Sequence, residues 1–429
     1  MTTLASMLAA AQRLLTYYNG DEKTAQNPGG LTGVGGMADN WDPCIQDIGT
    51  VATGVGDALS AVNDGAAAVH ADRIVADASA AASLEHRQAA AQSALTAAGI
   101  VQHVDVTEIA GLAPCLDIHG SGAMGLPAGV VAGSSGKWVM SPAGVLTLVP
   151  AGTAPIDYDP VTGGVRGLLV ESSRTNLVVN SAALATQSLT TSAQTYTLSF
   201  YGTGSVTLSG AYAATVNSAG GYPTRTTLTF TPSAGSLTLT PSGTVQYAQL
   251  EAGSAATSYT PTAGGGVIRA ADLNALLLSR VPGWNATEGT VFVDFTPAAN
   301  SPAGQNRTVV SIDDGTVSGA SLQLMRWEAN QGVLARVLSG GVNQVLVGST
   351  PVANLTRQKA AFSWKAGSGS FSLNGASVAE AVAGTIPTTF TTLRLGHSVG
   401  ADYLNGWIRR LTVFPRWLAP GTRNLMTAA

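Results

Sequence analysis

A chain of 429 residues, with a net charge of −4 and only 11% charged side chains, has the length of roughly two to four domains but too few charges to solvate a monomer's surface well. It contains no basic run, which excludes the electrostatic footprint of a nucleic-acid partner and leaves nuclease or DNA-packaging roles without support. Cys44 and Cys115 are too few and too far apart for a disulfide framework or a zinc site, so they read as reduced thiols of a protein folded in a reducing cytoplasm.

At the N-terminus no basic segment precedes the apolar stretch, and Gln12 and Arg13 interrupt it, so a signal peptide is not expected. No run of about 18 apolar residues predicts a transmembrane helix. Leu4, Met7, Leu8, Leu14 and Leu15 predict a short amphipathic helix. Glycines at 29–30 and between 33 and 36 punctuate the chain after this helix, and Trp41, Pro43, Ile45 and Ile48 suggest a local cluster. Residues 1–57 are too small for a large core of their own and read as a region that docks onto another protein.

Residues 58–99 are alanine-rich and helix-compatible, with Gly65 a weak point and Gly99 a C-terminal cap. Val62, Val69, Ile74, Leu84 and Leu95 keep no strict heptad. The eleven-residue step from Leu84 to Leu95 fits a straight or slightly right-handed bundle. Three copies packed together would bury the alanine faces, so a homotrimeric helical stalk is expected, with a monomeric surface helix as the alternative.

Beyond Gly99 the period changes to two. Tyr196, Leu198 and Phe200, then Leu237 and Leu239, then Val291, Val293 and Phe295, then Phe362 and Trp364 alternate along short runs separated by turn residues. That pattern predicts a mainly β chain of sandwich (jelly-roll) domains. Asn374-Gly375 and Asn405-Gly406 are hairpin signals. The spacing divides this part into a β-rich connector at 100–180, a small sandwich at 181–266 closed by the glycines at 264–266, and a jelly roll at 281–429.

Three segments resemble those of phage tail-fibre and minor structural proteins. PIDYDPVTGGVRGLLVESSRTNL, residues 155–177, is similar to the pattern F-D-Y-D-P-x-T-G-x-x-R-G-L-L-I-E-x-x-R-T-N-L, with Ile156 in place of the usual aromatic. YAQLEAGSAATSYTPT at 247–262, followed by RAAD at 269–272, resembles the family's second block. YLNGWIRRL at 403–411 resembles the closing strands of a concanavalin-like or laminin-G-like lectin fold. The resemblance covers about residues 145–429. It implies a carbohydrate-binding-module-like sandwich followed by a lectin-like jelly roll. Within the first block, Glu171 and Arg174 lie three apart near a strand end and are expected to form a charge-assisted pair that locks the turn, rather than to catalyse.

Little else points to bond-breaking chemistry. His70, His86, His103, His119 and His397 have no metal-ligand spacing, there is no G-x-S-x-G elbow, and the glycines near 33–36 lack the Lys-Ser/Thr of a phosphate loop. Glycoside hydrolysis needs two opposed carboxylates, and the C-terminal region is poor in acids. Asp313-Asp314-Gly315 reads as a hairpin turn, with a calcium site on Asp313 and Asp314 as the functional alternative; no other cofactor is expected. Sugar binding needs aromatic faces and planar polar groups. Trp364 and Trp407 sit in alternating strands and read as core. Tyr403 and His397 lie near predicted loops and are the better ligand-binding candidates, joined by Asn405, Trp327 and Arg326.

The expectation is a non-enzymatic virion protein made in the host cytoplasm: a tail fibre or spike that is anchored by its N-terminal region to a tail, baseplate or capsid protein. Its C-terminal domain would bind a host-surface glycan or protein multivalently, without nucleic acid and without membrane insertion. The alternatives are an architectural capsid or tail fibre that binds no receptor, and a surface-polysaccharide depolymerase.

Overall fold

The computed structural model describes residues 3–33, 35–64, 110, 112–119, 136–382 and 384–428. It forms two compact units, residues 1–103 and 104–429. Among the described residues the chain is mainly β, built from antiparallel sheets.

In the first unit, helix α1 (Leu4–Thr16) starts where the Thr3 hydroxyl accepts the Ser6 backbone N–H, an N-cap. Strands β1 (Asn19–Glu22) and β2 (Gly30–Thr32) pair in parallel, and α2 runs Gly36–Asp64. Arg13 of α1 grips the Asp47 carboxylate of α2 with two bonds, of 2.7 and 2.5 Å. Gly54 of α2 faces Met7, where a Cβ would lie 2.0 Å from the Met7 sulfur. The expected cluster of Trp41, Ile45 and Ile48 is not formed: these side chains lie along one side of α2 and are exposed, as are Leu4, Leu8 and Leu15 of α1. Helix α2 crosses the boundary expected at residue 57, and only 58–64 of the predicted stalk are described; the rest, with His70, His86 and His103, lies outside the described residues.

The second unit opens with short strands: β3 (Leu116–His119), the hairpin β4 (Lys137–Met140) and β5 (Leu146–Val149), β6 (Ile156–Tyr158), β7 (Val165–Val170) and β8 (Arg174–Asn176). A small sandwich comes next, of β9 (Gln187–Thr191), β10 (Tyr196–Tyr201), β11 (Ser205–Gly210), β12 (Ala214–Asn217), β13 (Thr226–Phe230), β14 (Gly235–Ser242) and β15 (Gln246–Ala252). Its sheets run β13-β10-β15 and β12-β11-β14-β9. Leu198, Phe200, Leu208, Leu237, Leu239 and Leu250 fill the space between them. By the two-residue period, the opposite face of the three-stranded sheet carries Thr197, Ser199 and Tyr201, registered against Thr227 and Thr229 on β13 and Gln249 and Glu251 on β15.

After β16 (Val267–Arg269), which pairs with β8, comes the large sandwich. Its strands are β17 (Asn274–Leu277), β18 (Gly289–Pro297), β19 (Arg307–Asp313), β20 (Ser321–Arg326), β21 (Gly332–Ser339), β22 (Val342–Pro351), β23 (Gln358–Lys365), β24 (Ser368–Leu373), β25 (Ala376–Val382), β26 (Thr392–Leu395) and β27 (Gly406–Phe414). One sheet runs β17-β26-β19-β20-β21-β22 and the other β25-β24-β23-β18-β27-β7-β6. Val291, Val293, Phe295, Ile312, Leu324 and Phe362 belong to the core shared by the two sheets. Helix α3 (Pro420–Ala428) covers the outer side of the second sheet through Met426, against Phe292 and Phe414.

The stretch expected to be a separate connector instead completes this sheet. β3 pairs with Arg410–Val413 of β27, and β7 pairs with Gly406–Ile408 of the same strand. The physical reason is an edge: without these strands β27 would present unpaired N–H and C=O groups along its length. The hairpin expected at Asn374-Gly375 joins β24 to β25, both residues at positive φ (49° and 85°). Asn405-Gly406 is not a hairpin. Asn405 has φ 46°, but Gly406 opens β27, whose partners there are Pro297 of β18 and Val170 of β7.

Candidate functional site

The first two resembling segments converge on one buried polar network at the junction of the sandwiches. Glu171, just after β7, does not pair with Arg174. Its carboxylate lies 3.2 Å from Lys137 of β4 and 3.4 Å from Arg269 of β16, and accepts the backbone N–H and the hydroxyl of Ser258, both at 2.7 Å. Asp272 bonds to Lys137 and accepts the Glu171 N–H at 2.7 Å. Glu251 accepts the Thr257 N–H and hydroxyl, and its nearest oxygen is 4.0 Å from Nε of Arg174. Asn176 donates to the carbonyls of Ala248 and Thr260. Burial raises the Glu171 carboxyl, but Lys137, Arg269 and the Ser258 donors outweigh it and hold it down to about 2. Burial pushes Asp272 up, so of the two carboxylates around Lys137 it takes a proton first. The three-residue spacing that suggested a Glu171–Arg174 pair fails because the Glu171 carboxylate is taken by Lys137, Arg269 and Ser258 from other parts of the chain.

Beside this network lies a cleft of about 510 Å³, in the second unit. The polar face of β10 and β13 forms one wall, through Thr197, Thr227, Thr229, Tyr201 and Arg225. Trp138 of β4, Asp157 of β6 and Arg166 of β7 line it, with Trp407 of β27 and Arg307 of β19. Trp407 is half-buried rather than core. Its indole N–H donates to Asp157 at 2.8 Å, and the Arg166 guanidinium sits 5.3 Å from its ring centre. Asp157 also accepts the Met140 N–H at 2.7 Å, and burial raises its carboxyl. Every oxygen of the cleft's two lining carboxylates, Asp157 and Glu171, thus already accepts a bond from the protein. The cleft as built offers aromatic faces, threonine hydroxyls and guanidinium groups, the chemistry that holds a saccharide.

The expected site residues are not gathered in one place. Asn405 lines the cleft, and its side-chain carbonyl accepts the N–H and hydroxyl of Ser172 at 2.9 and 3.0 Å. His397 is fully buried, its ring nitrogens against the carbonyls of Ser398 and Asn274, and Tyr403 stacks on it with centroids 5.8 Å apart. Burial lowers the imidazole. Arg326 is buried and bonds Asn354, Asn300 and the carbonyls of Ala299 and Val352, a brace for a loop rather than a ligand contact. Trp327 follows β20, where its backbone N–H donates to the Gly332 carbonyl and its carbonyl accepts the Gln331 N–H. Asp313 closes β19, opposite Ser321 of β20, and Asp314 opens the connecting loop, as a hairpin requires. Asp313 is held by Arg394 at 2.8 and 3.1 Å, while Asp314 accepts the N–H groups of Thr316 and Ala320. Their oxygens serve the turn and a guanidinium, and among the described residues no cluster of three His, Cys, Asp or Glu could hold a metal ion. Trp364 is core, as expected.

Arg166, Arg225, Arg307 and Trp138 were not singled out in the sequence. The signal that could have found Arg166 was scarcity: in a chain with 21 basic residues, it shares one resembling segment with Arg174.

No family model and no curated protein matches the chain. Among solved structures, the CBM40 of the Ruminococcus gnavus IT-sialidase, bound to α2,3-sialyllactose, is 15% identical with a TM-score of 0.30, over 34% of this chain and 84% of that one. Domain 4 of AbnA, a GH43 extracellular arabinanase from Geobacillus stearothermophilus in complex with arabinotriose, is 13% identical with a TM-score of 0.30, over 37% and 73%. The NanB sialidase from Streptococcus pneumoniae is 11% identical with a TM-score of 0.29, over 36% and 26%. Similarity at this level carries no argument about what this chain binds.

Proposed function

We propose that this chain is a non-enzymatic structural protein of a bacteriophage-like particle, a tail fibre or spike, which attaches to a host-surface glycan through the cleft of its second unit. The cleft is the observation that carries the reading: indole and phenol rings beside threonine hydroxyls and guanidinium groups, with its carboxylates engaged by the protein. The resemblance of residues 145–429 to phage structural proteins supports the placement on a virion. The exposed Leu4, Leu8, Leu15, Trp41, Ile45 and Ile48 support a first unit that is covered in the particle, by other copies of a homotrimer and by a tail, baseplate or capsid protein. Several weak sites on one trimer would then bind with an avidity set by effective concentration.

The test is sedimentation of the full chain with bacterial envelope polysaccharides, with Trp407→Ala in parallel and a reducing-end assay on the same mixtures. Binding that Trp407→Ala abolishes, without new reducing ends, is the expected result. Release of reducing ends makes the protein a depolymerase. Absence of binding to every envelope polysaccharide leaves the architectural role and overturns the attachment reading.

A further inference from the structure

Three arginines of the cleft, Arg174, Arg225 and Arg307, have no carboxylate within hydrogen-bond distance among the described residues. By contrast, Arg166, Arg357, Arg394 and Arg410 each hold an aspartate at 2.9 Å or less. Arg307 is the extreme case. It is 6% exposed, its Nε donates to the Asn300 carbonyl at 2.8 Å, one Nη reaches the Tyr403 carbonyl at 3.3 Å, and the other Nη has no partner among the described residues. The buried Arg326 and Arg423 also lack carboxylates, but neutral oxygens occupy both their terminal nitrogens. Arg174 gives one Nη to the Ser173 carbonyl at 3.0 Å, and its buried Nε is unbonded. Arg225, like Arg326, gives both terminal nitrogens to neutral oxygens, the Thr257 carbonyl and the Ser199 hydroxyl, with its Nε unbonded.

A buried cation without a counter-charge is costly and is normally paired. Here burial and the neighbouring positive charges of Arg174 and Arg326 lower Arg307 to about 10, so like charges face one another across the site. The carboxylates nearby are turned to Lys137, Arg269 and Trp407, and Glu251, 4.0 Å from the Arg174 Nε, accepts from Thr257 instead. The chain as a whole is acidic, so this positive spot is local.

We propose that the cleft selects an anionic saccharide, whose carboxylate or sulfate group is held by Arg307 and Arg174, with the sugar ring against Trp407. This rests on the reading of the cleft as a glycan site. An anion there supplies the acceptors that Arg307 and Arg174 lack, and a charge-assisted bidentate pair suits the guanidinium fork.

The experiment is binding of the full chain to an array of neutral, uronic-acid-bearing and sulfated oligosaccharides, repeated with Arg174→Met, Arg174→Lys and Arg307→Met. The expected result is retention on anionic saccharides alone, weakened by salt, lowered about tenfold or more by Arg174→Met and largely restored in Arg174→Lys. Whichever class is retained, carboxylated or sulfated, identifies the group. If Arg307→Met does not fold, the partly exposed Arg174 carries the comparison. Equal binding of neutral saccharides, or binding indifferent to Arg174→Met, overturns the anion site and leaves the glycan reading standing. Binding to no saccharide of any class overturns both.

Discussion

Replacing Lys137 with Met isolates the charge at the centre of the junction network. Methionine keeps the length and apolar stem of the side chain, so what is removed is the ammonium bonded to Asp272, 3.2 Å from Glu171 and donating to the Leu169 carbonyl at 3.1 Å. Lys137 is completely buried, and Arg269 would be left to balance Glu171 and Asp272 alone. Removing one partner from a buried ion network costs about 3–5 kcal/mol. With an unfolding entropy of about 2.1 cal/mol/K per residue, residues 104–429 contribute about 0.7 kcal/mol/K, so Lys137→Met lowers Tm by about 4–7 °C. All but Trp41 of the seven tryptophans lie in that unit, so tryptophan fluorescence during heating reports its unfolding. Acid supplies a second readout. Glu171 is held down to about 2 in the fold, against 4.5 ordinarily, so its contribution is complete above that ordinary value and is lost as pH falls towards 2. Lys137 is the strongest of the charges holding it down, so the gap between the two proteins narrows across that window. Adding Asp272→Asn to the variant, which removes the stranded negative charge, recovers part of the loss. A Tm within about 2 °C of the parent at neutral pH, or a gap that does not narrow in acid, refutes the network as a source of stability.

Trp407→Ala removes the indole N–H bond to Asp157 and the platform under Arg166; it costs about 2–3 kcal/mol in urea unfolding and abolishes saccharide retention. Gly289→Ala places a Cβ 2.3 Å from the Trp364 ring, which is fully buried and has nowhere to move; a loss of about 3 kcal/mol is expected, whereas Gly264→Ala, with nothing within 4 Å, stays within about 0.5 kcal/mol of the parent. Because Asp313 and Asp314 are engaged by Arg394 and by turn N–H groups, millimolar calcium or a chelator leaves Tm unchanged, and a rise of several degrees with calcium would show a site there.

Local patterning made much of this protein legible. The two-residue alternation of Leu198 and Phe200, or of Val291, Val293 and Phe295, identified strands because successive strand side chains point to opposite faces and one of those faces fills a sandwich core. Asn374-Gly375 identified its hairpin because few other pairs accept positive φ at both turn positions. Tertiary structure alone decided what each face meets. Alternation places Trp407 and Trp364 alike, yet one lines a cleft and the other is core, because the face that a strand presents is local while the element that covers it is not. Glu171 and Arg174 are neighbours in sequence, but the partners of Glu171 come from β4 and β16, brought together only when the sandwiches close. Charges pair through space, and in a β chain with long-range strand pairing, distance in space is set by topology rather than by spacing along the backbone.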